Sequence, residues 1–533
     1  MSHQLLIIAW LAPLMMLPLV FGRFSGVAMA LSALPALLAA ILVPVGTGVN
    51  ISWVLLGMTL HLDETGSWFL LFSSLMWSSA GTYAALTMSR GLARFSAFFL
   101  LACAGNLLLI VAADMVTFYV GFALMGLAAT GLIADRRSQH ARRAARVYLA
   151  WTLVGEMALF AAIALLAGEM ASLSFTDLDP GSMPNVAVAL LLFGFGIKLA
   201  LPGLHLWLPL AYAAAPAAAA SVLSGPMISA GLLGWLRFVP AVEASTVDWG
   251  ELLIAVGAAG TCLGVLAGLV QRDPRTVLAY SSIAKMGLVT SVFGTALANA
   301  AASPAIMTAL AVFAMHHLML KGSLFLGMGE WERRGGSTWL VAVTGILALA
   351  MIGVPFTSGA GAKMMLDEAT ASAGFNLTLL FGFSALGTLL LMARFIWLLI
   401  KRPAATVTPP DMASLVWLVL AASALLLPLL QLPMPLSHAG LGMLAASVVL
   451  VIAMAGGRGR ITLQLPLVPP GDLLYLFRAS RRLWSGKLRV QDLRLSPRAL
   501  VSAGSVPAPV RALGALFWLI FCVPILATML LSG

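Results

Sequence analysis

Twenty-four arginines and six lysines make up the basic residues of this 533-residue chain, and the two kinds keep different company. Nearly all the arginines border apolar stretches, whereas Lys198, Lys285, Lys321 and Lys363 fall within or beside them. A guanidinium holds its proton almost anywhere, while a lysine taken out of water can release one, so lysine is the cation a proton relay can use. Ionisable groups at bilayer depth are costly and commonly mark a pathway. His317 and Lys321, four apart in FAMHHLMLKGSLFLGMG, share one helical face, and His205 follows the Pro202 and Gly203 pair in GIKLALPGLHLWLP. The bland alternatives are snorkelling or static pairing for the lysines, and helix–helix hydrogen bonding for the histidines.

Such groups must be positioned by membrane helices. With 61% hydrophobic and 9% charged residues and a mean hydropathy of +1.02, the chain reads as an integral membrane protein. A soluble enzyme is excluded, as is a nucleic-acid binder despite the net charge of +11, because the basic residues sit at membrane borders. Cys103, Cys262 and Cys522 each lie in apolar runs without metal-ligand spacing. No disulfide framework, metal site, iron–sulfur cluster or other cofactor is therefore expected.

Apolar runs of roughly 20 residues predict about sixteen spans: 4–22, 26–46, 66–88, 95–112, 115–134, 148–167, 185–215, 219–239, 250–270, 276–297, 304–326, 339–370, 376–399, 412–431, 438–456 and 512–531. The first lacks a small-residue cleavage signature after it and reads as a span, not a removed signal. Odd-numbered loops carry the arginines, from Arg23 through Arg90, Arg136, Arg272 and Arg333 to Arg402 and the stretch 457–511. Even-numbered loops carry Asp63, Glu64, Asp114, Glu169, Asp177, Glu243 and Asp248, with Arg237 the exception. The positive-inside bias places the odd loops in the cytoplasm of a bacterial cell and both termini outside its inner membrane.

Proline and glycine interrupt the seventh and twelfth spans, beside Lys198 and, in GVPFTSGAGAK, beside Lys363. Broken helices line cavities, because the freed backbone groups need partners. Breaks five spans apart predict two five-helix repeats, 95–239 and 250–399, the second inverted because five is odd. They are flanked by an N-terminal unit 1–94, helices over 412–456, a cytoplasmic segment 457–511 and a final helix within 512–533. Glu156 is the one acid well inside a span of the first repeat, and Lys198 is its expected partner. Within the basic segment, LLYLFRASRRLW (473–484) has the pattern of an interfacial amphipathic helix that contacts anionic lipid or docks a neighbouring subunit.

These residues carry a family resemblance. WVLLGMTLHLDETGSWFLL (53–71), KLALPGLHLWLPLAYAAAPAAAASVLSGPM (198–227), RDPRTVLAYSSIAKMGLV (272–289), HHLMLKGSLFLGMG (316–329) and GVPFTSGAGAK (353–363) resemble the antiporter-like subunits of respiratory complex I, Mrp-type cation/proton antiporters and membrane arms of energy-converting hydrogenases. The resemblance implies an all-α, proton-translocating membrane subunit of a multi-subunit energy-coupling complex. Its partners would be other membrane and peripheral subunits, and its ion the proton, with sodium an open alternative. No catalytic site of its own is implied, although the complex could be a translocase such as an NADH:quinone oxidoreductase. Carried over by position, Lys198 matches the central lysine of a first half-channel, His317 and Lys321 the connecting residues, and Lys363 the ionisable residue of the second half-channel. Glu156 matches an acidic position of some members. Two positions depart: Ala123 stands where the family has a glutamate, and Ser224 and Ser229 stand near its polar residue on the eighth helix. Two rival readings follow. One is a subunit that energises inorganic-carbon uptake with a zinc carbonic-anhydrase-like partner, and the other is a paralogue that no longer conducts.

Overall fold

The structure, a computed structural model, describes residues 2–426 except 90, 171, 179–182, 240–243, 300, 336, 356, 372–376 and 402–408. The expected spans 438–456 and 512–531, the basic stretch 457–511 with its amphipathic segment, Arg402 and Cys522 lie outside the described residues.

Helix α1 (Ser2–Met15), prolonged by a 3-10 turn over Leu17–Phe21, is followed by α2 (Ser25–Leu31) and α3 (Leu34–Leu42). A hairpin of β1 (Gly48–Ile51) and β2 (Met58–His61) comes next, antiparallel, with Gly48 opposite His61. Then follow α4 (Glu64–Thr87), α5 (Leu92–Val111), α6 (Met115–Ile133), α7 (Gln139–Glu169), α8 (Asn185–Lys198), α9 (Trp207–Ala214), α10 (Ala217–Ser224) and α11 (Pro226–Phe238). The remainder are α12 (Ala244–Leu269), α13 (Pro274–Ala298), α14 (Ser303–Arg334), α15 (Thr338–Ile352), α16 (Ser358–Ala371), α17 (Thr378–Ile400) and α18 (Met412–Leu426).

Among the described residues eleven helical segments are long and apolar enough to cross a membrane, and α8, α15 and α18 are shorter apolar helices. The chain is thus a multi-pass membrane protein, and these segments fall on the expected spans. The helix starts were written in the sequence. Asp63, Asp114, Ser138 and Asp273 each accept from the amide three residues on, capping α4, α6, α7 and α13.

The hairpin was not expected, nor was a break in the eighth span. Pro226 brings no amide, and Gly225, lacking a side chain, lies against the Leu318 carbonyl of α14, so α10 ends and α11 starts there. Small residues let backbones meet elsewhere too. A Cβ on Gly287 of α13 would collide with the Thr261 amide and Gly257 carbonyl of α12, and Gly105 and Gly121 face each other between α5 and α6.

The loops sort as their charges predict. Arg94 pairs with Asp135 at 2.7 Å, Arg136 and Arg275 with Glu332 at 3.2 and 2.9 Å, and Arg333 and Arg334 with Asp411. These contacts gather the odd-numbered loops at one end of the bundle. At the other end the Thr59 amide donates to Asp114, the Met115 amide to the Leu173 carbonyl, and Arg237 to Asp63 at 2.8 Å. Arg237, the exception to the charge pattern, also donates to the Ala112 and Ile110 carbonyls, so it staples even-numbered loops together.

Candidate functional site

Both expected breaks are present. Between α8 and α9 the chain turns through Ala200 (φ 57°) and Gly203 (φ 84°), and after α15 it turns through Gly353 (φ 80°). A left-handed alanine is strained and persists only where its surroundings hold it. Each break frees carbonyls, and each is closed by a side chain. The indole of Trp207 donates to the Ile197 carbonyl at 2.8 Å. In the second break the closing donor is Lys363 itself, whose Nζ reaches the Ile352 carbonyl at the end of α15. A cation there also suits the negative end of the helix dipole. Gly353 makes the room, since a Cβ there would sit 3.0 Å from Lys363 Nζ.

Lys198 is the last residue of α8 and is 5% exposed. Its Nζ donates to the Tyr148 hydroxyl at 2.9 Å and lies 5.6 Å from the Phe122 ring centre and 5.3 Å from that of Tyr148. The expected partner, Glu156, forms no ion pair with it among the described residues; it lies within electrostatic reach of Lys198, with Oε1 buried and unbonded over Gly126. The reason is geometric. Tyr148, Thr152 and Glu156 are four residues apart on one buried face of α7, so the Cα atoms of Tyr148 and Glu156 sit about 12 Å apart along the axis. The ammonium bonds to one end of that face and not the other. A cavity of about 10 Å³, lined by Phe122, Tyr148, Thr152 and Lys198 among others, lies beside the ammonium and has room for about one water. Ala123 is only half-buried, one position from the cavity-lining Phe122. Ser224 and Ser229 bond their own helices through the Ser221 and Gly225 carbonyls.

The long helix α14, buried over nearly its whole length, carries His316, His317 and Lys321. Lys321 Nζ donates to the Leu278 carbonyl at 2.8 Å. Lys285 of α13, 1% exposed, donates to Ser384 of α17 at 3.2 Å and feels the charges of both Lys321 and Lys363. His317 is buried, stacked on Phe313, with both ring nitrogens unbonded, and lies within electrostatic reach of Lys321 and Lys285. His205 is fully buried just before α9. None of the four lysines forms an ion pair among the described residues. Unnoticed in the sequence were Tyr148, Phe122, Ser384 and His316, the last buried toward Lys363 and Lys285. The signal for Tyr148 was its eight-residue spacing from Glu156.

Broken helices with Lys198 buried and Lys363 half-buried, each hydrogen-bonded at its break, define a polytopic helical membrane protein that holds cations inside its bundle. The chain belongs to the family described as NADH:quinone oxidoreductase/Mrp antiporter, TM, which matches residues 112–390. It is 28% identical over 331 residues to hydrogenase-4 component B of Escherichia coli (strain K12), covering 57% of this chain and 49% of that protein. The chain spans about half the length of the curated relatives it matches first. Its fold is similar to a chain of the Mrp complex from Dietzia sp. DQ12-45-1b, with a TM-score of 0.71 at 19% identity, covering 99% of this chain and 63% of that one. It is also similar to a chain of respiratory complex I from Thermus thermophilus, with a TM-score of 0.70 at 22% identity, covering 79% and 95%. The resemblance expected from the sequence is borne out.

Proposed function

We infer that the protein is a proton-translocating, antiporter-like subunit of a multi-subunit energy-coupling complex in the bacterial inner membrane. The observation that carries this reading is the recurrence of one device: two interrupted helices, each with a hydrogen-bonded lysine at its break, Lys198 buried and Lys363 half-buried, accompanied by α14 with its histidines and third lysine. The two breaks, and the glycine-paired helices that precede each, fit two inverted five-helix repeats supplying half a path apiece. Odd loops face the cytoplasm in this reading, and both termini lie outside.

A proton is held at Lys198 and passes by way of water to His317, Lys321 and Lys285, then leaves by Lys363. Lys198 rests on Tyr148. A swing toward Glu156 would exchange the neutral hydroxyl for a carboxylate as its partner, and this change of partner is the gate we assign to the first half of the path.

Lys198→Arg tests this directly, since arginine keeps the charge and cannot release the proton. In energised vesicles Lys198→Arg and Lys198→Ala should each lower proton-coupled transport by about 10²-fold or more, with assembly intact. Normal transport in both would remove Lys198 from the path, and a wild-type chain that moves no protons in its native complex would favour the non-conducting reading.

A further inference from the structure

At the end of the bundle where the odd-numbered loops gather, Gln139, His140, Arg142, Arg143 and Arg146 of α7 surround an open groove of about 520 Å³. Five nearby arginines, Arg94, Arg136, Arg275, Arg333 and Arg334, are matched to carboxylates. Arg142 and Arg146 are exposed and form no ion pair among the described residues. Their charge is surplus to the fold.

The same face of α7 continues away from the groove as Ala150, Leu153, Val154, Met157 and Phe160, all exposed, Met157 by 65% and Phe160 by 55%. From Arg146 to Phe160 this track runs about 21 Å along the helix, more than one leaflet's share of a hydrocarbon core about 30 Å thick. Two guanidiniums at a membrane border, leading without interruption into an apolar stripe on one helix face, match one ligand chemistry: a phosphate with an acyl chain beneath it. We propose that α7 holds one anionic phospholipid, its phosphate between Arg142 and Arg146 and an acyl chain along Leu153, Met157 and Phe160.

Charge complementarity chooses this occupant. The chain's own segment 457–511 carries ten basic residues against Asp472 and Asp492, so the groove would repel it. A free phosphate would satisfy the arginines and leave the apolar track unused.

The site rests on α7 alone and stands whether or not Lys198 conducts protons. The full chain, purified with its partners, delipidated and titrated with phosphatidylglycerol in nanodiscs or by native mass spectrometry, provides the test. Arg142→Gln/Arg146→Gln should weaken phosphatidylglycerol binding by about thirty-fold, taking each arginine near a membrane surface at its usual worth. Arg142→Lys/Arg146→Lys should retain most of the binding, phosphatidylcholine should not distinguish the variants, and Phe160→Ser should weaken binding with the arginines intact. Equal phosphatidylglycerol affinity in wild type and the Gln variant would overturn the site. So would full occupancy by inorganic phosphate with no gain from acyl chains, or loss of a protein subunit instead of lipid from the Gln variant.

Discussion

A buried ammonium needs an acceptor, and in the first broken helix the acceptor is a phenol. Replacing Tyr148 by Phe would leave the 5%-exposed Lys198 without its only hydrogen bond among the described residues while preserving the ring that the cation lies against. Leaving such a donor unsatisfied costs about 1–3 kcal/mol, more for a charged group. The lysine should then move onto Glu156, the one carboxylate on the same face of α7. Transport by Tyr148→Phe is therefore expected to fall several-fold, and the double variant Tyr148→Phe/Glu156→Gln should lose far more than the two single variants combined. Simple additivity of the two effects, measured as initial transport rates in vesicles, would sink the two-partner arrangement. Lys198, Lys321 and Lys363 were legible in the sequence because a lysine in an apolar run is conspicuous. Tyr148 was not, because a tyrosine in such a run is ordinary, and only the packing of α8 on α7 gives its hydroxyl a task.

Spans are local properties of a sequence, so their positions were legible. Their pairing is set by where side chains are missing, and that is written less plainly. Gly257 and Gly287 sit on facing sides of α12 and α13, where a Cβ on either would strike backbone atoms of the other helix. Gly287→Ala should lower stability by about 1–3 kcal/mol, the usual cost of overpacking a close contact, and lower the midpoint of thermal unfolding in detergent. Gly345 of α15 supplies the control, having open space where its Cβ would go. There an alanine should be neutral or stabilise by about 0.5–1 kcal/mol, because glycine inside a helix costs conformational entropy. Equal midpoints for the two variants would mean that the α12 and α13 seam is looser than its geometry. The same reasoning explains the unforeseen break at Gly225. Composition marks 219–239 as one apolar run, whereas the approach of the Leu318 carbonyl from α14 becomes visible only in three dimensions.

Across the whole molecule, the end that gathers the odd-numbered loops is held by carboxylates shared among distant helices. Glu330, fully buried near the end of α14, accepts from Tyr83 of α4 at 2.9 Å, from Arg333 and Arg334, and from Ser414 of α18. Asp411, just before α18, receives the same two arginines from outside and caps its helix through the Ser414 amide at 3.0 Å. The hub thus ties α4 to α14 and to α18, and no single span predicts it. Burial works to raise the Asp411 carboxyl, but the Ser414 amide and the two guanidiniums outweigh it and hold the group well below the usual carboxylate range. A carboxyl depressed in the folded state contributes stability above its unfolded pKa of about 3.9 and loses that contribution as the pH falls through the folded value. Asp411→Asn should accordingly unfold at a lower temperature than wild type at neutral pH, with a gap that stays constant down to about pH 5. The gap should narrow from about pH 4 downward as the wild-type carboxyl takes up its proton and loses the arginines. Thermal midpoints of the two proteins in one detergent across that range give the answer. A gap that persisted undiminished to the acid limit would show that Asp411 holds α18 by its amide cap alone, and not by its charge.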